Sequence, residues 1–262
     1  MNADEGHPLR ERFRVVSLDV DRLSHETAVD LVLRAVRSGR GAYVCFATVH
    51  MVMEAFDSPE FAGIVNKADL VVPDGMPMVW MQRLQSAEDP QRVRANDLMT
   101  SLIDRAEKLG LKVGFYGGTQ DVIDEITHRA SKEHPGLEIA YAYSPPFRPP
   151  TPEEDDAAVK EINASGIQIL FTGLGCPKQE RWMAEHRDRL NCVMLGVGAS
   201  FDFYAGNVKE SPPWLGRLGL EWLYRLSREP KRLWRRYLIL NPRFIWHAGR
   251  QLLIRDRTRP SV

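Results

Sequence analysis

The chain has 262 residues, 44% hydrophobic and 27% charged, with 35 basic against 35 acidic side chains. That composition suits one large α/β domain, alone or with an appendage, and excludes a low-complexity chain. Cys45, Cys176 and Cys192 form no C-x-x-C pair, no apolar run approaches the roughly 20 residues that span a bilayer, and the opening "MNADEGHPLRERF" lacks the apolar core of a signal peptide. A reducing, cytoplasmic setting follows, without a disulfide framework, zinc cluster or leader.

From the N-terminal side, 14–20 (RVVSLDV) reads as a strand and 24–38 as an amphipathic helix. The Asp19-x-Asp21 pair between them has the spacing used by metal-dependent sugar-nucleotide enzymes. It is better read as a strand-end turn or helix cap. Strand 42–48, helix 50–67, strand 69–72 and helices 76–85 and 96–109 come next. Strand 111–116, helix 120–133 and strand 137–142 lead to "YSPPFRPPTPEED", a stiff connection with five prolines. Helix 152–165, strand 167–172, helix 178–189 and strand 192–197 complete the alternation. The pattern predicts a Rossmann-like, largely parallel sheet with helices on both faces.

After Gly206 this rhythm stops. Two helices are predicted, 214–227 and 231–254, with Pro230 suited to start the second. The reading divides the chain into a catalytic α/β body, 1–207, and a helical appendage, 208–262. Residues 209–262 carry 13 Lys/Arg against 4 Asp/Glu, a net of +9 that leaves −9 on the rest, and hold four of the six Trp. A basic, aromatic tail on an acidic body suits an anionic surface, and equally a helical hairpin packed by its Trp residues.

In parallel sheets ligands bind beyond the carboxyl ends of the strands, so the turns there are candidate sites. "GLGCPKQE" places Gly173 and Gly175 before a helix that starts near Lys178, Gln179 and Glu180, an arrangement that can cradle phosphate. "FYGGTQ" repeats it with Gly117 and Gly118, and "GVGASFDFYAG" adds Asp202, an acid suited to a ribose or base. Together the three turns suggest a nucleotide pocket. In "DLVVPDGMPMVW", Asp74 stands where a general base can take a proton from an incoming hydroxyl, although a lone D-G is ordinarily only a turn. The seven histidines show no ligand spacing, and neither metal nor cofactor is expected.

The strings "ADLVVPDGMPMVW", "GFYGGT", "GLGCPKQERWM", "GASFDFYAG" and above all "GLEWLYRLSREPKRLWRRYL" resemble the WecG/TagA/CpsF glycosyltransferases (glycosyltransferase family 26) over about residues 14–245. The resemblance implies metal-independent, inverting transfer of a sugar, N-acetylmannosamine-type or a related hexose or uronic acid. The donor would be a UDP-sugar and the acceptor a polyprenyl-diphosphate-linked saccharide, in bacterial surface polysaccharide synthesis. It makes Asp74 the base, Gln179 and Glu180 lining of the sugar-nucleotide pocket, and Asp202 the uridine contact. Gly117 and Gly118 would lie close to the nucleotide. Arg225, Arg232 and Arg235 would reach the active site from a lid and neutralise the leaving diphosphate, and the i, i+3/i+4 spacing of Arg232 with Arg235 or Arg236 lets two guanidinium groups share one helix face. The rest of the tail would rest on the inner face of the plasma membrane.

Two positions depart from the family pattern. Phe46 and Thr48, followed by His50, stand where many members have Thr-x-Asn, so Thr48 or His50 takes over a substrate contact or His50 merely packs. Glu210-Ser211-Pro212 replaces Arg-Ala-Pro and reverses a charge near the pocket. Competing readings are an NAD(P)-dependent oxidoreductase, which the missing third glycine disfavours, a nucleic-acid binder, which an acidic body would repel, and an inactive member of the family. Apolar tail residues also leave room for a homo-oligomer.

Overall fold

The computed structural model describes residues 11–258, so most of the segment from which no leader was expected lies outside the described residues. In chain order the elements are β1 (Arg12–Val15), β2 (Leu18–Asp21), α1 (His25–Ser38), β3 (Ala42–Ala47), α2 (Val49–Asp57), α3 (Pro59–Asn66), β4 (Leu70–Pro73), α4 (Met76–Leu84), α5 (Ala95–Leu109) and β5 (Lys112–Gly117). They continue with α6 (Gln120–Glu133), β6 (Glu138–Tyr143), α7 (Pro152–Ser165), β7 (Ile169–Gly173), α8 (Lys178–His186), β8 (Val193–Gly196) and α9 (Ser200–Tyr204). The C-terminal helices are α10 (Pro213–Arg217), α11 (Glu221–Arg228) and α12 (Pro230–Thr258).

Six strands form one sheet in the order β4-β3-β8-β7-β5-β6, and every pair in it is parallel. The central strands are buried on both faces, as a parallel sheet between helix layers requires. Alternate residues divide between two cores. Val44, Phe46, Val113, Phe115, Ile169, Phe171, Val193 and Leu195 meet α1, α5, α6 and α9. Tyr43, Cys45, Ala47, Tyr116, Leu170 and Met194 meet α2, α3, α8 and part of α12. The fold class read from the sequence is the observed one.

Three local expectations are corrected. The strand expected over 14–20 is a separate antiparallel hairpin, β1–β2, reversing at Val16, whose φ is 56°. The edge strand β4 is met by a side chain from this hairpin: Asp21 accepts from Val71 N at 2.7 Å and pairs with Arg12 at 3.0 Å. Asp21 therefore serves the fold. The helix expected over 50–67 is two helices, because Pro59 has no N–H to continue the first and Ser58 Oγ caps the second through Phe61 N at 3.2 Å. The helix expected over 214–227 is broken by Gly219, whose left-handed φ of 70° separates α10 from α11.

The long helix α12 has two environments. Before Pro242 it carries Leu233 inward beside α11. Beyond Pro242 it packs on α2 through Phe244 and Ala248, and Arg243 holds Asp57 with bonds of 3.0 and 2.6 Å. Gln251 ties its end to the β1–β2 hairpin, accepting from Val16 N at 2.8 Å and donating to Arg14 O at 2.6 Å.

Candidate active site at the carboxyl edge of the sheet

The chain leaves β5 toward α6 on one face of the sheet and leaves β7 toward α8 on the other. This divergence between neighbouring strands opens a crevice where ligands of open α/β sheets bind. Gly117, Gly118, Gly173 and Gly175 flank it. Gly117 and Gly173 are small because the chains touch: a Cβ on Gly117 would lie 2.6 Å from the Gly173 backbone, and one on Gly173 would lie 2.3 Å from the Phe201 ring. Gly118 N donates to Gly173 O at 3.1 Å. Gly175 differs, since its φ of 80° favours glycine while the space a side chain would fill is open. Of the four, Gly175 leaves the most room for a ligand.

Gln179 and Glu180 lie beneath this turn. The buried Gln179 amide accepts from Gly175 N at 3.2 Å and donates to Gly196 O at 2.8 Å and Glu180 Oε1 at 2.7 Å, stapling the β7 turn to the end of β8. Glu180 is 0% exposed, its Oε2 has no hydrogen-bond partner, and burial pushes its carboxyl up to about 7. Lys178 begins the same helix but points to solvent. Burial also raises Cys176, next to Glu180, well above the ordinary thiol range.

A second group lies at the ends of β3 and β4. Asp74 N and Gly75 N both donate to Ala47 O, at 3.1 and 3.3 Å, which places Thr48 beside Asp74. Thr48 Oγ1 caps α2 through Met51 N at 3.4 Å. Val93 N donates to Pro73 O at 2.9 Å, bringing Arg92 and Arg94 alongside. Arg92 Nε donates to the Asp74 carbonyl, and its Nη2 lies 3.8 Å from Asp74 Oδ1. Burial raises the Asp74 carboxyl above its usual value; Arg92 opposes this, Glu221 reinforces it, and Arg94 opposes it. The side chain is 22% exposed, so it remains reachable. His50 Nε2 lies 3.3 Å from Glu54 Oε1; its Nδ1 is buried without a partner, and burial, then Arg236, lowers it to about 4.

The C-terminal helices roof this edge. A Cβ on Gly219 would fall 2.6 Å from the Trp80 ring, so glycine lets the α10–α11 turn lie directly on α4. Arg225 stacks over Phe203 at 5.4 Å, and Arg225 and Arg232 both act on Asp202, whose carboxyl burial raises despite them. Arg236 faces Cys176 and His50; burial lowers its guanidinium, and the neighbouring charges of Arg225 and Arg232 add to that. Arg225 Nε and Arg236 Nε are both buried without a partner. Arg232 is held by Glu229, and Arg235 is exposed over the Trp234 ring at 5.3 Å.

The candidate residues therefore form two groups on one edge, Thr48, His50 and Asp74 over β3–β4 and the glycine turns with Asp202 over β5, β7 and β8. Four strand spacings of about 4.8 Å separate their outer members, β4 and β5, so the site is roughly 19 Å across. Arg225 and Arg232 join it, Lys178 and Arg235 are exposed, and Gln179 is engaged in the turn's own hydrogen bonds. Arg92, Arg94 and Glu221 were not among the residues named from the sequence, and Arg236 stood there only as the alternative to Arg235 beside Arg232. "RVRAND" carries two arginines in an aperiodic stretch before a helix, which is a usable signal. Glu221 carries none, and the choice between Arg235 and Arg236 stays open in the sequence, since helical phase depends on where α11 and α12 dock.

Glu210, the reversed charge in the tail, accepts from Arg94 at 2.9 Å and from Asn96 Nδ2 at 2.6 Å. It fastens the segment after α9 to the body.

The chain is 35% identical over 207 residues to an N-acetylglucosaminyldiphosphoundecaprenol N-acetyl-beta-D-mannosaminyltransferase of Bacillus spizizenii, an alignment covering 79% of this chain and 78% of that protein. It is 31% identical over 199 residues to the protein of the same name from Bacillus subtilis, covering 76% and 75%. Residues 13–258 match the Glycosyl transferase WecG/TagA/CpsF family. The chain belongs to that family of glycosyltransferases.

Proposed function

We propose that the enzyme transfers a sugar of the N-acetylmannosamine type from a UDP-sugar to a polyprenyl-diphosphate-linked saccharide, inverting the anomeric carbon without a metal ion. The observation that carries this reading is the pair of buried, unpartnered guanidinium nitrogens, Arg225 Nε and Arg236 Nε, in the roof over the glycine-lined crevice. A buried guanidinium N–H left without a hydrogen bond is costly, and a diphosphate would satisfy both with the planar, charge-assisted bonds that arginine makes best. The names of the two Bacillus relatives, which specify an N-acetylglucosaminyl-diphospholipid acceptor and a mannosaminyl product, support the same assignment.

In this reading Asp74 takes the proton of the acceptor hydroxyl as its oxygen attacks the anomeric carbon from the face opposite the diphosphate. The carbon–oxygen bond to UDP breaks, and its electron pair goes to the β-phosphate. Arg225, Arg236 and Arg232 stabilise the charge that develops there. Asp202 sits on the nucleotide side, and Thr48 and His50 stand on the acceptor side. Residues 1–207 form the catalytic body, and 208–262 supply the roof and a membrane contact. Arg236, whose side chain turns inward, replaces Arg235 in the arginine set.

Among the described residues no helix is long and apolar enough to cross a membrane. Ile245, Trp246 and Leu253 of α12 are nevertheless largely exposed, at 68%, 71% and 68%. With basic neighbours worth about 1 kcal/mol each near an anionic leaflet, they suit a peripheral seat on the cytoplasmic face, where the lipid-linked acceptor lies.

The test is UDP release from a panel of UDP-sugars in EDTA, with a polyprenyl-diphosphate-linked N-acetylglucosamine acceptor, for wild type and Asp74→Asn. Acceptor-dependent turnover with one donor, reduced about 10²–10⁴-fold in the variant, is expected of a lost general base. Turnover abolished by EDTA, or absence of UDP binding to the intact protein, would sink the reading.

A further inference from the structure

The proposal concerns Glu221, the first residue of α11, and rests on the reading of Asp74 as the base. Arg92 Nη2 is shared unequally between two carboxylates: it lies 2.7 Å from Glu221 Oε2 and 3.8 Å from Asp74 Oδ1. The guanidinium is also held at its Nε, which bonds the Asp74 carbonyl. Small rotations would therefore decide which carboxylate it serves. All three side chains are mostly shielded, with 18% of Arg92, 18% of Glu221 and 22% of Asp74 exposed. Their mutual charges are correspondingly less screened than at an open surface.

We propose that Glu221 is a positioning residue for the Asp74 base: docked α11 draws the Arg92 guanidinium away from the Asp74 carboxylate, leaving its lone pairs free for the acceptor hydroxyl. An aspartate locked in a short ion pair with arginine is a poor base, because the cation stabilises the form that must accept the proton. With Glu221 in place, the arginine's charge is answered from the roof. The base is then strong only when the roof is closed, which ties proton abstraction to assembly of the arginine site.

The other groups facing Asp74 fit this balance. Arg94 is the second cation, and its Nη1 bonds Glu210 at 2.9 Å while its Nη2 lies 3.9 Å from Glu221 Oε1. Asp97 Oδ1 lies 3.4 Å from the same Arg94 Nη1. Two carboxylates supplied by the C-terminal region, Glu221 and Glu210, thus answer the two arginines of the body. Burial acts to raise the Glu221 carboxyl, but Arg92, Arg94 and Arg225 more than offset it and keep it below its usual value, so it is charged at neutral pH. The departure at Glu210 belongs to the same arrangement.

The experiment is an NMR titration of the full chain labelled with ¹³C at the aspartate carboxyls, the Asp74 signal being identified by its absence from Asp74→Asn. In Glu221→Gln, which keeps an oxygen acceptor for Arg92 but removes the charge, the Asp74 midpoint should fall by about one pH unit or more. Glu210→Gln, acting on Arg94, should move it less, and Glu221→Ala should move it the same way as Glu221→Gln. The acid limb of the kcat/KM profile should shift with the midpoint. If Glu221 merely latches α11, turnover would drop through KM while the Asp74 midpoint stayed in place, and the proposal would be overturned. A fallen midpoint with turnover that survives Asp74→Asn would uphold the coupling and overturn the base assignment instead.

Discussion

The α/β body and the C-terminal helices are built on opposite principles. In the body, Phe115, Phe171, Val193 and Leu195 are fully buried, and the few buried acids, Asp21 and Glu180, lie beside turns and strand edges. In the helices that roof the site, Trp246, Ile245 and Leu253 face solvent while the guanidiniums of Arg225 and Arg236 turn inward, each with a buried nitrogen. Burial of apolar area explains the first arrangement at roughly 25 cal/mol per Å². It opposes the second, which makes sense when the inner face meets an anion and the outer face meets lipid. The apolar anchor of the second region lies beyond Pro242, where Phe244 and Ala248 pack on α2. Removing everything after Gly206 would therefore strip a covering from the α2 core as well as open the site.

The contrast is broken most directly by two truncations to alanine. Phe171→Ala should cost about 3–5 kcal/mol, measured by denaturant unfolding. Trp246→Ala should change stability by less than about 0.5 kcal/mol while weakening sedimentation with anionic vesicles. Equal stability losses would mean that the exposed face of α12 is part of a core.

Within the roof, Arg236→Ala should lower kcat about 10²–10³-fold, the scale for losing one preorganised transition-state donor. Arg235→Ala, on the outer face, should leave it within a few-fold. Steady-state kinetics with saturating donor decides, and the reverse ranking would mean that α12 turns on binding substrate.

Glu180 sharpens the comparison from the body's side, as a buried acid under the glycine turn. Burial raises it from 4.5 to about 7 in the folded protein. Below pH 4.5 both folded and unfolded states hold the proton and the contribution to stability is complete. As pH rises through about 7 the unfolded chain has already released its proton, and stability is lost, on the order of 3 kcal/mol. Unfolding free energies at pH 5 and pH 8 should show this loss for the wild type and not for Glu180→Gln. A matching slope in both would assign the pH dependence elsewhere.

The smallest effect is expected at the seam between the two regions. Glu210→Ala removes the bonds to Arg94 and Asn96 and should cost less than about 1 kcal/mol globally, as exposed ion pairs do. Amide exchange in 209–228 should nevertheless quicken. Unchanged exchange would show that Gly219 against Trp80 holds the segment by itself.

The body was legible because period-2 runs such as "AYVCFAT" and "IQILFT" must be covered on both faces, and each is followed by a helix long enough to cross back. The β1–β2 hairpin was not, because "RVVSLDV" alternates through its own turn and a non-glycine residue, Val16, occupies the left-handed reversal. At the site, Asp74, the glycine turns and Asp202 could be named from their place after strands. Gln179 shows the limit of that inference: its place after the turn is equally the place from which an amide can staple the turn to β8.

The sequence by itself determined the strand-and-helix alternation, the edge of the sheet on which the site lies and the charge of the tail, because these depend on local pattern and on the handedness of parallel connections. Only the tertiary structure decided that Arg236 rather than Arg235 turns inward, that Glu210 meets Arg94 and that Arg92 stands between Asp74 and Glu221. A helix presents every residue in turn around its axis, and which of them face the body depends on tertiary docking contacts, here Gly219 on Trp80 and Phe244 on α2, that no local pattern around those arginines records.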